Sequence, residues 1–591
     1  MTTPRFIALM GGAALSSRAQ VDRLAEAAMR LSFEPVFRQA GLIVLANPAA
    51  TVTPLVGRPG VAIGTIFQRN ETTQGPYNKA ATVEVSEQAG DDLARSYWGA
   101  YVAFIVNRPH QVLQVLRDPS GSFSCYLSRK DDVDIVYSHV DTAYALGLIR
   151  GEPDPAAVAH HLTYPGLRVE RTALVGVEEV LPGTSVSLNG AGAITRRRHW
   201  TPWTFATKAN QISDRRDAIE QVHTETQRCV STWADQYPSI LHELSGGLDS
   251  SIVAACLAGR TDPVTCITFV TPDPGADERA YAQQVADGIG APLRTLMLEL
   301  ADSDLKGLAE PMTARPGSGM LHQVLDRALT REAERAGAPV LFSGGGGDNV
   351  FCYLNTAAPA ADALRRHGLG PVFWHSVADL AALHGCTTWR AGQLALRKAL
   401  RPLRSWPRDV DFLTSDAPPR APDPHTWLDA PRGALHGQHE HIISLMAVQN
   451  PLNCQASHGP ALVCYPLLSQ PLVELCLRIP SCMWITGGRN RAIARDAFTG
   501  RLPPAILQRR TKGDFMGMLG ALYEKHRPEL ADLLLGGWLA HQSLLDRKAM
   551  ETYLNSAAPV TDFRFHRLME LANVEVWARS WLERSPPALP G

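Results

Sequence analysis

The 591-residue chain predicts an α/β protein in two parts: a β-rich N-terminal part, then a parallel sheet covered by helices and extended by more helices. Three observations predict it. Short apolar runs separated by Gly, Pro and Asp turns fill residues 1 to about 205. Apolar strands and amphipathic helices then alternate, the order of a parallel sheet with crossover helices. Beyond about residue 355 the texture becomes helical.

Taken in order, FIALMG reads as a buried first strand. The longer FIALMGGAAL has only Arg5 as a basic flank and no A-x-A cleavage site, so a signal peptide is the weaker reading. VAIGTIF, AYVAFIV, DIVYSHV and TSVSLN follow as strands. Residues 214–234 place Ile219, Val222, Thr226, Cys229, Val230 and Trp233 at helical spacing behind a cap at Ser213 or Asp214. The boundary therefore falls near 205–213, dividing residues 1–207 from 208–591. SILHEL then reads as a strand, SSIVAACLA as a helix, PVTCITFV as a strand, ADERAYAQQVADGIG as a helix closed by glycine, and APVLFSG as a strand. The proline-rich residues 402–427, with APPRAPDP, predict a surface loop or insertion. Arginines 390, 397, 401, 404 and 408 lead into it, either as a solvated helix face or as a contact for an acidic partner.

Charge and cysteine usage narrow the function classes. With 57 Lys+Arg against 58 Asp+Glu, there is no bulk attraction for nucleic acid or an anionic membrane. Ten scattered cysteines form no C-x-x-C pair, which predicts reduced, buried thiols in a cytoplasmic protein and no zinc site or disulfide framework. No run approaches the ~18 apolar residues of a membrane span.

The chemistry concentrates in SGGLDSS, Ser245–Ser251. It joins a strand to a helix at the carboxyl end of the sheet, where α/β proteins bind ligands. Gly246 and Gly247 admit close backbone approach, and their N–H groups with those of the helix start form an anion nest. Ser245, Ser250 and Ser251 add hydroxyls. Asp249 would repel a phosphate unless Mg²⁺ lay between them. A glycine turn with a capping Ser or Asp is the plain alternative. A second strand end, LFSGGGGDNVF, brings Ser343, Gly344 and Asp348, so that Asp249 and Asp348 can offer one carboxylate each to a shared metal. In LPPAILQRRTKGDF, Lys512 follows a helix in a Gly-containing loop and could stabilise a developing anion, although a lone loop lysine is usually surface.

SGG-x-DSS resembles the PP-loop of ATP pyrophosphatases, which cleave ATP between its α and β phosphates. No G-x-x-x-x-G-K-[ST] occurs. The three motifs together resemble the asparagine synthetase superfamily, whose synthetase domain carries SGGxDSS, a later SGxGxD turn and an R-x-K-x-x-F loop, here Arg510, Lys512 and Phe515. ADERAYA, with Asp277, Glu278 and Ala282, and CYPLLSQPLVELCLRIPSCMWITGGRNRAIARDAF look like further family segments. WGAYVAFIV, RDPSGSFSCYL with Arg117, Asp118 and Gly121, and VEEVLPGTSVSL resemble its glutaminase domain. The resemblance implies an Ntn-hydrolase-like N-terminal domain and a PP-loop ATP pyrophosphatase domain. It further implies ATP and Mg²⁺ as cofactors, pyrophosphate held by Ser245, Gly246, Gly247, Asp249, Ser250, Ser251, Ser343 and Gly344, metal held by Asp249 and Asp348, and catalysis by Lys512, Asp249 and Asp348.

Two departures refine the expectation. Glutamine-using members place a cysteine directly after the initiator methionine, where Thr2 stands here, so the N-terminal domain is expected to be a degenerate glutaminase. At the third position of the SGGGGD turn, asparagine synthetases carry glutamate and β-lactam synthetases tyrosine; Gly345 stands here, and Ser469 replaces an aspartate after PLL. The pattern is most similar to lasso-peptide cyclases, AMP-forming carbon–nitrogen ligases that join a peptide's N-terminal amine to an Asp or Glu side chain. That implies a precursor or core peptide as substrate and, as partners, a leader-peptide-binding protein and a leader peptidase. The alternative is another glutamine-independent amide former, β-lactam synthetase-like or an ammonia-dependent asparagine synthetase.

Overall fold

The computed structural model describes residues 3–12, 14–39, 41–69, 75–107, 112–189, 192–271, 277–298, 312–317, 319–456, 462–510, 516–555 and 564–584. Period-two alternation builds the N-terminal part. Along strand Phe6–Gly11, Phe6, Ala8 and Met10 pack against Val61, Ile63, Val102 and Phe104 of a second antiparallel sheet. Ile7 and Leu9 point the other way, into a core with Val21 and Ala25 of helix Leu15–Arg30 and with Leu568 and Trp577 of the C-terminal helix Arg564–Leu582. The second sheet's outer residues Ala62, Ala103 and Ile105 pack with Leu93 of helix Ala89–Ser96. The result is two stacked antiparallel sheets with helices on both outer faces.

Helix Arg215–Ala234 opens as its sequence predicts: the Asp214 carboxylate accepts from the N–H groups of Arg216 (2.7 Å) and Asp217 (3.0 Å). It packs beside a five-stranded parallel sheet. Across that sheet the strands run Leu293–Met297, Val264–Val270, Ile240–Glu243, Val340–Phe342, Leu462–Cys464. The chain leaves Ile240–Glu243 toward one edge through Val264–Val270, and later builds toward the other from Val340–Phe342. The strand order therefore reverses between these two neighbours, a topological switch point. Both glycine-rich turns emerge there.

Strands Leu293–Met297 and Leu462–Cys464 were not among the predicted elements. One is a largely exposed edge and the other only three residues long, so neither shows a buried apolar run. The proline-rich segment has no helix, but it is more than a surface loop. Trp406 and Trp427 are buried, Trp406 Nε1 donates to the Pro165 carbonyl (3.0 Å), and the Trp427 carbonyl accepts from Trp203 Nε1 (2.7 Å). It straps the two parts together. A buried ion cluster does the same: Glu179 is fully buried among Arg117, Arg168 and Arg315, which come from three separate stretches of chain.

Candidate active site

The two turns are packed into one another. Gly246 adopts φ +71°, the left-handed region open to glycine, and a Cβ there would stand 2.9 Å from the Ala282 nitrogen. A Cβ on Gly344 would lie 2.5 Å from the Ser250 nitrogen, and one on Gly347 would lie 2.5 Å from Asp249 Cγ. The glycines thus let the SGGGGD turn touch the first turn of helix Leu248–Leu257. Behind both, His242 sits fully buried in its strand, with Nε2 2.9 Å from the Ser250 carbonyl and Nδ1 3.2 Å from the Phe342 carbonyl. Burial pushes its pKa down to about 4, outweighing both carbonyls, so the ring is neutral and its single N–H donates to one of the two carbonyls while it packs between the first turn of the helix and the neighbouring strand end.

Within SGGLDSS, the Ser245 hydroxyl accepts from Gly247 N (3.3 Å) and lies 3.2 Å from Ser250 Oγ. Ser251 is fully buried and its hydroxyl donates to the Gly247 carbonyl (2.7 Å), bracing the loop from behind. Ser343 accepts from Gly345 N (3.2 Å) and donates to Glu243 (2.7 Å). Asp249 and Asp348 meet on one cation, the Arg491 guanidinium. Its Nη1 lies 3.0 and 2.9 Å from the two Asp249 oxygens and also pairs with Asp348 Oδ1. Burial opposes the Arg491 charge, but the two carboxylates more than offset it and raise its pKa. Arg491 itself sits at φ +50°, an unusual conformation for a non-glycine residue, at the start of helix Ala492–Ala497.

A second arginine closes the other side. Arg509 Nη1 donates to the Gly246 carbonyl (3.2 Å), Nη2 pairs with Glu278 (2.5 Å), and the guanidinium lies 4.1 Å from the Tyr281 ring centre. Arg510, which the family motif singles out, is exposed. Arg495 lies behind Arg491, its pKa lowered to about 10 by burial and by Arg491 and Arg489, still cationic at neutral pH. The Nε atoms of both Arg491 and Arg509 are buried with no hydrogen-bond partner among the described residues. Two orphaned cationic donors beside an anion nest fit an incoming polyphosphate.

Sequence reasoning found both turns and both aspartates but missed Arg491, Arg509 and His242. A faint signal existed: GGRNRAIAR crowds three cations, and SILHEL buries a histidine in an apolar strand. Thr2, Lys512 and Phe515 lie outside the described residues. Among those described, no group of three or more His, Cys, Asp or Glu side chains could hold a metal. Asp249 and Asp348, which here both pair with Arg491, are the carboxylates that would hold a Mg²⁺ if one bound.

A cavity of about 270 Å³ lies between the two parts, reaching from Thr3 and Pro4 to Leu468 and Ser469. Leu468 packs under Gly346 of the second turn, and Ser469 is held by Trp233 Nε1 (3.1 Å). No helix among the described residues is long and apolar enough to cross a membrane.

Among known proteins, the carboxyethyl-arginine beta-lactam-synthase of Streptomyces clavuligerus is 29% identical over 166 residues, which are 26% of this chain and 32% of that protein. The chain thus matches about a third of that relative's length. Two solved structures align with low similarity. The allosteric regulatory enzyme of purine biosynthesis gives TM-score 0.21 at 10% identity, covering 50% of this chain and 80% of that one. Glutamine phosphoribosylpyrophosphate amidotransferase from B. subtilis gives 0.19 at 11%, covering 49% and 65%. The asparagine synthase profile matches residues 222–579, which take in the parallel sheet, both glycine-rich turns, Arg491 and Arg509, and the chain belongs to the asparagine synthase family.

Proposed function

We propose that this chain is an ATP-dependent ligase that adenylates an Asp or Glu side chain of a peptide and closes a lasso-type macrolactam with the peptide's N-terminal amine. The observation that carries the ligase reading is the convergence of two glycine-rich turns, two aspartates and two arginines with orphaned donors at the switch point of the sheet. The peptide reading draws on Gly345, which leaves space where a glutamate or tyrosine would project, and on the similarity to lasso-peptide cyclases.

In the first half-reaction a carboxylate oxygen attacks the α-phosphorus of ATP, the α–β bridging bond breaks, and pyrophosphate leaves. The N–H groups of Gly246 and Gly247 and the hydroxyls of Ser245 and Ser250 receive the pyrophosphate, with Ser343 and Gly344 on the facing turn and Ser251 bracing from behind. Asp249 and Asp348 would hold the Mg²⁺ that accompanies ATP, which neutralises phosphate charge when bound. Arg491, released from the aspartates, turns its guanidinium to the phosphate oxygens. In the second half-reaction the peptide amine attacks the acyl carbonyl, its proton is lost to solvent or a base, and the bond to AMP breaks. Lys512 stabilises the oxyanion. Glu278, already committed to Arg509, positions that arginine and is not free to take the proton. The reading further proposes a cytoplasmic setting, with a leader-peptide-binding protein and a leader peptidase supplying the core peptide.

A second reading, β-lactam closure on a small amino acid derivative, is favoured by the Streptomyces relative. Mass spectrometry of the purified chain with Mg-ATP separates them. One mixture contains aspartate with ammonium and carboxyethyl-arginine. The other contains the core peptide together with its leader peptidase and leader-binding protein. A peptide lighter by one water, formed with AMP, is expected. Asparagine or a β-lactam product overturns the peptide assignment, and ADP in place of AMP overturns the adenylation step.

A further inference from the structure

Seventeen large apolar side chains are exposed among the described residues, and eight of them fall within residues 369–410. They include Trp389 at 81% and Leu400 at 78% exposure on and just after helix Thr388–Ala399. The same stretch carries Arg390, Arg397, Lys398, Arg401, Arg404 and Arg408 without one carboxylate between Asp379 and Asp409. Leu394, Arg397, Lys398, Arg401 and Arg404 of this stretch line a groove of about 870 Å³, while Trp389, Leu400, Arg390 and Arg408 lie outside its lining. Leu380, Leu394 and Leu403 are its apolar lining, and Arg397, Arg401 and Arg404 its cations. Lys398, also in the lining, is paired with Glu440; among the described residues the three arginines form no ion pair. A patch both apolar and unneutralised, in a chain of net charge −1, marks an interaction surface.

The groove also connects to the site. Helix His436–Ala456 carries Glu440, which holds Lys398 and accepts from Thr356 (2.6 Å) at the groove wall. Four residues on, Ser444 accepts from Asn349 Nδ2 (2.9 Å at its carbonyl), next to Asp348. Four residues of helix rise only ~6 Å. One helix thus links the groove wall to the turn that bears Asp348.

We propose that this groove docks an acidic, leucine-rich helical segment of a separate polypeptide, its carboxylates on Arg397, Arg401 and Arg404 and its aliphatic face on Leu380, Leu394 and Leu403. Charge complementarity selects the acidic partner. The apolar floor selects a polypeptide over a nucleic acid, since no Phe, Tyr or Trp lines the groove to stack a base. This docking stands apart from the ligation chemistry, and its test does not require turnover.

Fluorescence anisotropy with the full chain compares four labelled probes: a 16-residue Glu/Leu amphipathic helix, the same helix with serine for leucine, a Lys/Leu helix, and a 16-nucleotide single-stranded DNA. The Glu/Leu helix is expected to bind at least tenfold more tightly than the rest, with Kd on the order of 10 μM, weakening as salt is raised. The triple variant Arg397→Glu, Arg401→Glu, Arg404→Glu is expected to lose at least tenfold of that affinity while ATP affinity stays unchanged. Should it melt early, Arg401→Gln with Arg404→Gln takes its place. Equal binding by the variant, tighter binding of the DNA or the Lys/Leu helix, or no saturable binding of the Glu/Leu helix each overturns the proposal.

Discussion

Replacing Gly344 with alanine isolates the packing of the two turns from every change of charge. The new Cβ would stand 2.5 Å from the Ser250 nitrogen and 2.8 Å from its Cα, both backbone atoms that cannot swing aside. Ordinary van der Waals contact begins at 3.4 Å, so the turns must separate by about 0.9 Å. Overpacking of this kind costs ~1–3 kcal/mol of stability. The same shift moves the N–H groups at the start of helix Leu248–Leu257 away from the facing turn. Losing one charge-assisted hydrogen bond costs ~1.5–3 kcal/mol, so Mg-ATP is expected to bind ~10- to 150-fold more weakly.

Calorimetric titration of Mg-ATP and a thermal melt, run on the same preparations, measure both effects. Gly288→Ala serves as the control: its Cβ meets nothing within 4 Å, and the site lies inside helix Arg279–Ile289, so it should raise stability slightly and leave ATP affinity alone. Gly344→Ala with wild-type ATP affinity would refute the reasoning, whatever the melt shows, because the cradle would then not depend on the contact between the turns.

Four further outcomes are expected. Arg491→Gln removes the cation that occupies Asp249 and Asp348, so Mn²⁺ followed by electron paramagnetic resonance without nucleotide should bind at least tenfold more tightly, an unchanged titration counting against the shared site. Lys512→Ala should slow AMP formation ~100- to 1,000-fold with ATP affinity preserved, and a rate within threefold of wild type would remove Lys512 from the mechanism. Glu179→Gln leaves Arg117, Arg168 and Arg315 buried without their anion and should cost ~3–5 kcal/mol in chemical denaturation, so a loss under ~1 kcal/mol contradicts the cluster's role. Burial holds His242, His425 and His441 near pKa 4 and His161 near 3, all below the ordinary 6.5. The unfolded chain then binds protons the native one refuses. Stability is fully present above about pH 7 and falls as pH drops from 6.5 toward 4, by up to ~1.4 kcal/mol per pH unit for each histidine; a flat profile from pH 7.5 to 5 would refute this.

Much of the fold was legible because its signals are local. Asp214 caps a helix two residues away, and Phe6, Ala8 and Met10 alternate with Ile7 and Leu9, so composition and spacing suffice. The strands that escaped, Leu293–Met297 and Leu462–Cys464, are held by neighbours rather than by their own apolar runs. Residues 402–427 read as a loop because prolines forbid helix, yet Trp406 and Trp427 make the segment a strap, a fact set by partners about 240 and 220 residues distant.

The site divides along the same line. Asp249, Asp348 and the glycines announced themselves through turn chemistry, which is written in adjacent residues. Arg491 and Arg509 did not, since an arginine in a helical stretch reads as a solvated face until the fold brings it 242 residues back onto Asp249, or 263 back onto Gly246. Yet these arginines decide what the site can accept. Without them, the two aspartates would face a polyphosphate with their full charge; Arg491 offsets one of those two charges, Arg509 offsets Glu278, and two buried Nε donors have no hydrogen-bond partner among the described residues. Such donors cost free energy in the folded chain unless a ligand meets them. A fold that keeps both at the switch point of its sheet offers them to an anionic ligand, which is what the proposed function requires.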